Sequence, residues 1–170
     1  MEKRTNVITF QGTPLTLLGP EIKVGAKAPD FTVLSKEMAP VKLSDSNGKV
    51  RIISVVPSID TPVCDMQTRR FNEEASRIEG LQVLSVSVDL PFALAKYCAA
   101  NGIANIETLS DHKELDFGLK YGFAIEELRL LSRGIVIVDK DNVVRYVQYV
   151  KEVTEQPDYD KALAAAKQLI

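Results

Sequence analysis

The chain carries two thiols, Cys64 and Cys98, and the first closes an unusual stretch, VVPSIDTPVC, residues 55 to 64. Thr61 suits a helix N-cap, its hydroxyl accepting from a backbone N–H two or three residues on, and Pro62 suits the first helical position. Cys64 then falls in the first turn, where N–H groups lack intrahelical partners and the helix dipole is positive, so a thiolate is favoured over a thiol. A thiolate in such a place is a nucleophile. A thiol packed among apolar neighbours is inert, and residue types and spacing leave both readings open for Cys64. They leave them open for Cys98 too, while Thr61 taken alone reads as a cap. Pro57 stiffens the approach to the helix and removes a backbone donor.

The elements around these residues follow from periodicity. Cys64, Thr68, Phe71, Ala75 and Ile78 fall on one helical stripe, so the sulfur is expected to face the protein body, with Gly80 ending the helix. The run before it, RIISVVP, is apolar nearly throughout, as for a strand covered on both faces. Cys64 would thus stand at the C-terminal end of a buried strand, where ligand sites of open α/β sheets lie. LQVLSVSVD predicts a second buried strand. PFALAKYCAANG predicts a helix opened by Pro91 and closed by Asn101 and Gly102, with Cys98 near its end.

NVITF and LTLLG, split by Gln11 to Pro14, predict an N-terminal hairpin, and FTVL with VKLSD a second strand pair. IETLSD reads as a short strand. Asp111 with Glu114 reads as a capping box for a helix over HKELDFGLKYG. RGIVIVD, KDN and VVRYVQYV predict an antiparallel hairpin, followed by an amphipathic helix through Tyr159, Leu163, Ala166 and Ile170. Strands alternating with helices, with the last pair antiparallel, give an α/β fold with a mixed sheet.

Bulk properties narrow the function. At 170 residues, 45% of them hydrophobic, the chain is expected to form a single domain over 1–170. Lys and Arg total 21 against 23 for Asp and Glu, which argues against nucleic acid and membrane surfaces as partners. The first twenty residues hold no apolar run of signal or membrane-span length, so a cytoplasmic location is expected. One histidine and two distant cysteines make no zinc ligand set, no glycine-rich phosphate loop is present, and no cofactor is expected. His112 invites a cysteine–histidine hydrolase reading, but polar neighbours at a helix start predict an exposed side chain. Arg69 and Arg70, five and six residues past Cys64, leave its stripe and read as solvated charges. Arg133, opening an apolar strand, reads from its neighbours alone as a surface flank.

Pro57, Thr61 and Cys64 match the peroxiredoxin pattern of proline, three residues, threonine, two residues and cysteine. PSIDTPVC resembles the thiol peroxidase branch of that family, the atypical 2-Cys kind, and DLPFALAKYC resembles the segment carrying its resolving cysteine. Arg133 in SRGIVIVD lies where the family has its active-site arginine, and the likeness extends through QPDYDKALAAA. The resemblance implies a thioredoxin-like fold, peroxide reduction by Cys64, and a Cys64 to Cys98 disulfide within one subunit. It also implies substrate contacts from Pro57, Thr61 and Arg133, re-reduction by thioredoxin, and a homodimer. Pro62 departs from the residue many members carry after the threonine, and proline suits the position. Two other readings stand beside this one. A non-catalytic thioredoxin-like interaction module would use its cysteines for packing, and a disulfide oxidoreductase would need the close Cys-X-X-Cys pair that is missing here.

Overall fold

The computed structural model describes residues 1–170. Its strands are β1 (Lys3–Phe10), β2 (Thr13–Leu18), β3 (Thr32–Ser35), β4 (Pro40–Lys42), β5 (Val50–Val55), β6 (Leu81–Ser87), β7 (Glu107–Ser110), β8 (Ala124–Ile125), β9 (Leu130–Leu131), β10 (Gly134–Val138) and β11 (Val144–Tyr149). Its helices are α1 (Pro62–Ala75), α2 (Pro91–Asn101), α3 (Asp116–Tyr121) and α4 (Tyr159–Lys167).

The central sheet runs β11-β10-β5-β6-β7-β3-β4. β5, β6 and β7 pair in parallel, whereas β10 and β11 join one side antiparallel and β3 and β4 the other. This is the mixed sheet expected from the alternation of strands and helices. β5 is buried at every position, and its side chains alternate between two cores. Ile52 joins Phe71 of α1 and Ala162, Leu163 and Ala166 of α4 on one face. Ile53 and Val55 join Phe31, Phe117 and Tyr121 on the other. Phe71 is fully buried and stacks edge-on against Tyr159 at 5.6 Å, so Phe71→Ala would cost about 3–5 kcal/mol.

β1 and β2 form the expected hairpin around Gln11 and Gly12, both at positive φ as a two-residue turn requires, so Thr13 and Pro14 belong to the second strand. The hairpin extends into a second sheet, β1-β2-β8-β9, whose two-residue strands carry no periodic signal in the sequence. Glu152 fastens its tip: the carboxylate accepts from Gln11 N, Gly12 N and Thr9 Oγ1 at 3.1, 2.9 and 2.8 Å.

Several boundaries differ from expectation. VKLSD is a strand only through Lys42; Asp45 then accepts from Lys42 N at 2.9 Å and turns Leu43–Ser46 into a 3₁₀ segment. α1 stops at Ala75, short of Gly80, because the Ser76 hydroxyl and Arg77 N–H take the Glu73 and Glu74 carbonyls. α4 stops at Lys167, leaving Ile170 exposed. Asp111 does cap α3, but from a distance. Its carboxylate accepts from Phe117 N and Gly118 N, so 112–115 form a turn and no capping box with Glu114 exists. His112 is half-buried, not exposed, with its carbonyl accepting from Arg129. α2 ends as expected, with Gly102 in the left-handed region at φ 65°. No helix is long and apolar enough to cross a membrane.

Candidate active site

Where β5 ends, Val56 N still donates to Val86 O, and buried Pro57 then turns the chain away from the sheet. Asp89 holds the loop that follows. Its carboxylate accepts from Ser58 Oγ at 2.7 Å and Ile59 N at 2.8 Å, an anchor that adds to the stiffness expected of Pro57. Thr61 is the N-cap of α1 by backbone geometry, and its carbonyl accepts from Asp65 N. Its hydroxyl does not cap, however. It donates to Ser58 O at 3.1 Å and accepts from no N–H of the helix. The lone pairs of Thr61 Oγ1 remain open toward solvent, where the residue is exposed.

Cys64 lies in the first turn of α1, as expected, and is 0% exposed. Thr68 and Phe71 follow it on the buried stripe, and Thr68 Oγ1 donates to the Cys64 carbonyl at 2.9 Å. The sulfur itself meets a cation. Arg133 Nη2 stands 3.2 Å from Cys64 Sγ, with Nη1 donating to Gln67 Oε1 at 3.1 Å and Nε to Val153 O at 2.7 Å.

Arg133 is 2% exposed, which corrects the surface-flank reading of its neighbours. Antiparallel pairing explains the position: Gly134 at the start of β10 faces Val55 at the end of β5. Gly134 also has to be glycine, since a Cβ there would lie 2.2 Å from Gln148 O and 2.5 Å from the Phe123 ring. A buried guanidinium ordinarily demands an anion, and none of its three contacts is a carboxylate. Among those three contacts, the Cys64 sulfur is the one able to carry negative charge.

Gln67 was not among the residues singled out by spacing. It is 0% exposed, lies one turn beyond Cys64, and donates through Nε2 to Ser54 Oγ at 2.8 Å and Val55 O at 3.3 Å. Arginine only donates, so the amide oxygen must face it, which fixes the orientation of both side chains. A polar residue three positions after the cysteine was the available signal. Tyr159 at the start of α4 is a second omission: its hydroxyl is buried without a partner, and burial pushes its pKa up to about 12.

A cavity of about 310 Å³ opens beside these groups. Pro57, Thr61 and Arg133 line it together with Phe10, Leu130 and Val153. The structure therefore brings Pro57, Thr61, Cys64 and Arg133 together. Cys98 is elsewhere, 5% exposed near the end of α2, with its sulfur 3.2 Å from Thr108 Oγ1 on β7. Both cysteines are free thiols. Arg69 and Arg70 remain surface charges as expected, although each is engaged, Arg69 with Asp65 and Arg70 with Glu74 and Asp160.

Comparison with known proteins agrees with this geometry. Residues 23–163 match the Redoxin family. A thiol peroxidase of Halalkalibacterium halodurans is 61% identical over 160 residues, covering 94% of this chain and 96% of that protein. A thiol peroxidase of Bacillus subtilis is 54% identical over 163 residues, covering 96% and 98%. Among solved structures, a peroxiredoxin-like protein from Aquifex aeolicus superposes with a TM-score of 0.92 at 40% identity, covering 98% of each chain. The chain belongs to the Redoxin family, within which it is a peroxiredoxin of the thiol peroxidase group.

Proposed function

We propose that the protein reduces hydrogen peroxide and organic hydroperoxides to water and alcohols through Cys64, closes a Cys64 to Cys98 disulfide within one subunit, and is recycled by thioredoxin. The observation that carries this reading is the buried Arg133 guanidinium donating to Cys64 Sγ at 3.2 Å with no carboxylate partner. A merely packed, neutral thiol would leave that charge uncompensated.

In the first step the Cys64 thiolate attacks one peroxide oxygen and the O–O bond breaks. The sulfur becomes a sulfenic acid, and the departing oxygen takes up a proton and leaves as water or alcohol. Arg133 supports the negative charge that passes from sulfur to the leaving oxygen, already oriented by Gln67 and Val153. Thr61, exposed and lining the cavity, supplies Oγ1 as the acceptor that takes the peroxide O–H and holds it in line with sulfur. Phe10, Leu130 and Val153 supply apolar wall for an alkyl chain, which favours organic hydroperoxides among the substrates.

In the second step Cys98 sulfur attacks the sulfenic sulfur, forming the disulfide and releasing water. A thioredoxin dithiol then returns both cysteines to thiols and is itself oxidised. The reading includes a single domain acting in the cytosol as a homodimer, features that rest on family resemblance and composition.

One equivalent of hydroperoxide added to reduced protein is expected to remove both free thiols, and retention of both rejects the proposal. Cys98→Ser should complete the first turnover yet fail to cycle with thioredoxin, so full steady-state activity in that variant would remove the resolving role. Turnover on small and bulky hydroperoxides with thioredoxin as donor ranks the substrates.

A further inference from the structure

The residues next to the two cysteines are bonded to each other. Asp65 directly follows Cys64, Tyr97 directly precedes Cys98, and the Tyr97 hydroxyl donates to Asp65 Oδ1. Arg69 Nε donates to both Asp65 oxygens, at 3.0 and 3.1 Å, and its Nη2 donates to Asn101 Oδ1. Asn101 Nδ2 closes the ring on the Tyr97 carbonyl at 2.9 Å. Four side chains thus tie the first turn of α1 to the last turn of α2. A lower rung joins Asn72 of α1 to Asn105 beyond α2 at 2.8 Å.

Neighbouring residues on a helix point about 100° apart. With Asp65 and Tyr97 facing each other, Cys64 and Cys98 face other partners. Cys64 meets Arg133, which immediately precedes β10, and Cys98 meets Thr108 on β7; these strands lie three places apart, roughly 14 Å at ordinary strand spacing. A disulfide needs Cα atoms within about 7 Å. With the sulfurs seated against partners on different strands, joining them takes unwinding at the helix ends, and the Tyr97–Asp65 contact lies across that movement.

We propose that Asp65, Arg69, Tyr97 and Asn101 are positioning residues that set how often this opening occurs, and thereby how Cys64 sulfenic acid divides between two fates. In the open form Cys98 attacks it, giving disulfide and water. In the closed form a second hydroperoxide can oxidise it to sulfinic acid, giving water or alcohol. The staple keeps Cys64 seated against Arg133 for the first step at the cost of slower resolution. This rests on the disulfide proposed above.

The test uses the full chain, quenched-flow alkylation and intact-protein mass, since the chain has no tryptophan to report the steps by fluorescence. Tyr97→Phe removes a hydrogen bond to a charged acceptor and is expected to speed disulfide closure about tenfold. It should lower the sulfinate fraction at a given excess of cumene hydroperoxide, while first oxidation of Cys64 slows by no more than about twofold because the closed form stays the larger population. Leu163→Ala in α4 destabilises the fold away from the staple and should leave the disulfide-to-sulfinate ratio unchanged. Wild-type partition in Tyr97→Phe overturns the proposal, and so does an equal shift in Leu163→Ala. No disulfide even in the wild type would overturn the functional reading and the staple together.

Discussion

Replacing Arg133 by methionine is the most direct perturbation of the site. Two unit charges 3.2 Å apart at an effective dielectric of about 20 attract by about 5 kcal/mol, which is a ceiling for what the Nη2 to Sγ contact contributes. Removing one preorganised donor from a site of developing charge typically costs about 10²- to 10³-fold in rate, or roughly 3–4 kcal/mol, inside that ceiling. Arg133→Met is therefore expected to oxidise Cys64 about 10³-fold more slowly, measured as the second-order rate constant for thiol loss under limiting peroxide. Arg133→Lys retains the charge, but one ammonium cannot reach Val153 O, Gln67 Oε1 and Cys64 Sγ at once, so it should recover about tenfold of the loss. Methionine also strands two buried acceptors at roughly 1–3 kcal/mol each, offset because a buried charge leaves with the arginine; a thermal melt separates this from the rate effect. Oxidation of Arg133→Met at the wild-type rate would refute the assignment of the cation.

Gln67→Met should slow Cys64 oxidation about tenfold and lower stability by about 1–3 kcal/mol, because it frees Arg133 Nη1 and leaves Ser54 unpaired; rate and urea midpoint are the readouts. Gly134→Ala should cost about 1–3 kcal/mol or more in a melt and slow oxidation as well, since its Cβ collides with β11 backbone immediately beside Arg133. Burial pushes the Asp111 carboxyl up to about 6, so the folded state favours its neutral form: that stabilisation is full below about pH 4 and is lost as pH rises through 6, about 3 kcal/mol in all. Urea melts from pH 4 to 7 should show wild type losing this much relative to Asp111→Asn, and a constant difference between the two would contradict it.

Much of the architecture was legible because its signals are local. Pro62 and Pro91 each sit at a helix start, Gly102 closes α2, and the Cys64, Thr68, Phe71 spacing gave the buried face of α1. What escaped depends on partners far along the chain. Asp111 caps a helix that begins five residues later, and strands as short as β8 and β9 exist only because β8 finds β2 to pair with and β9 finds β8. The Thr61 hydroxyl fits a cap in type and position, yet it is turned to donate to a carbonyl of the loop that Asp89 anchors, and its oxygen accepts from no helical N–H. Local rules name what a residue is able to do, and competition among distant groups decides which option is taken.

Arg133 is the strongest case. Its flank of an apolar strand looks like any solvated charge, and burying it takes acceptors from residues 64, 67 and 153 together. The sheet assembles them. In the parallel core, the end of β5 delivers Pro57, Thr61 and Cys64 to one edge of the molecule. A further parallel neighbour of β5 would deliver its own C-terminal end there and place its first residue at the opposite edge. Because β10 runs antiparallel, its N-terminal residue arrives at the edge where the thiol stands, while Val153, pinned to β1 by Thr9, accepts the remaining N–H. The strand reversal that makes the sheet mixed is thus the same feature that places a cation against the cysteine.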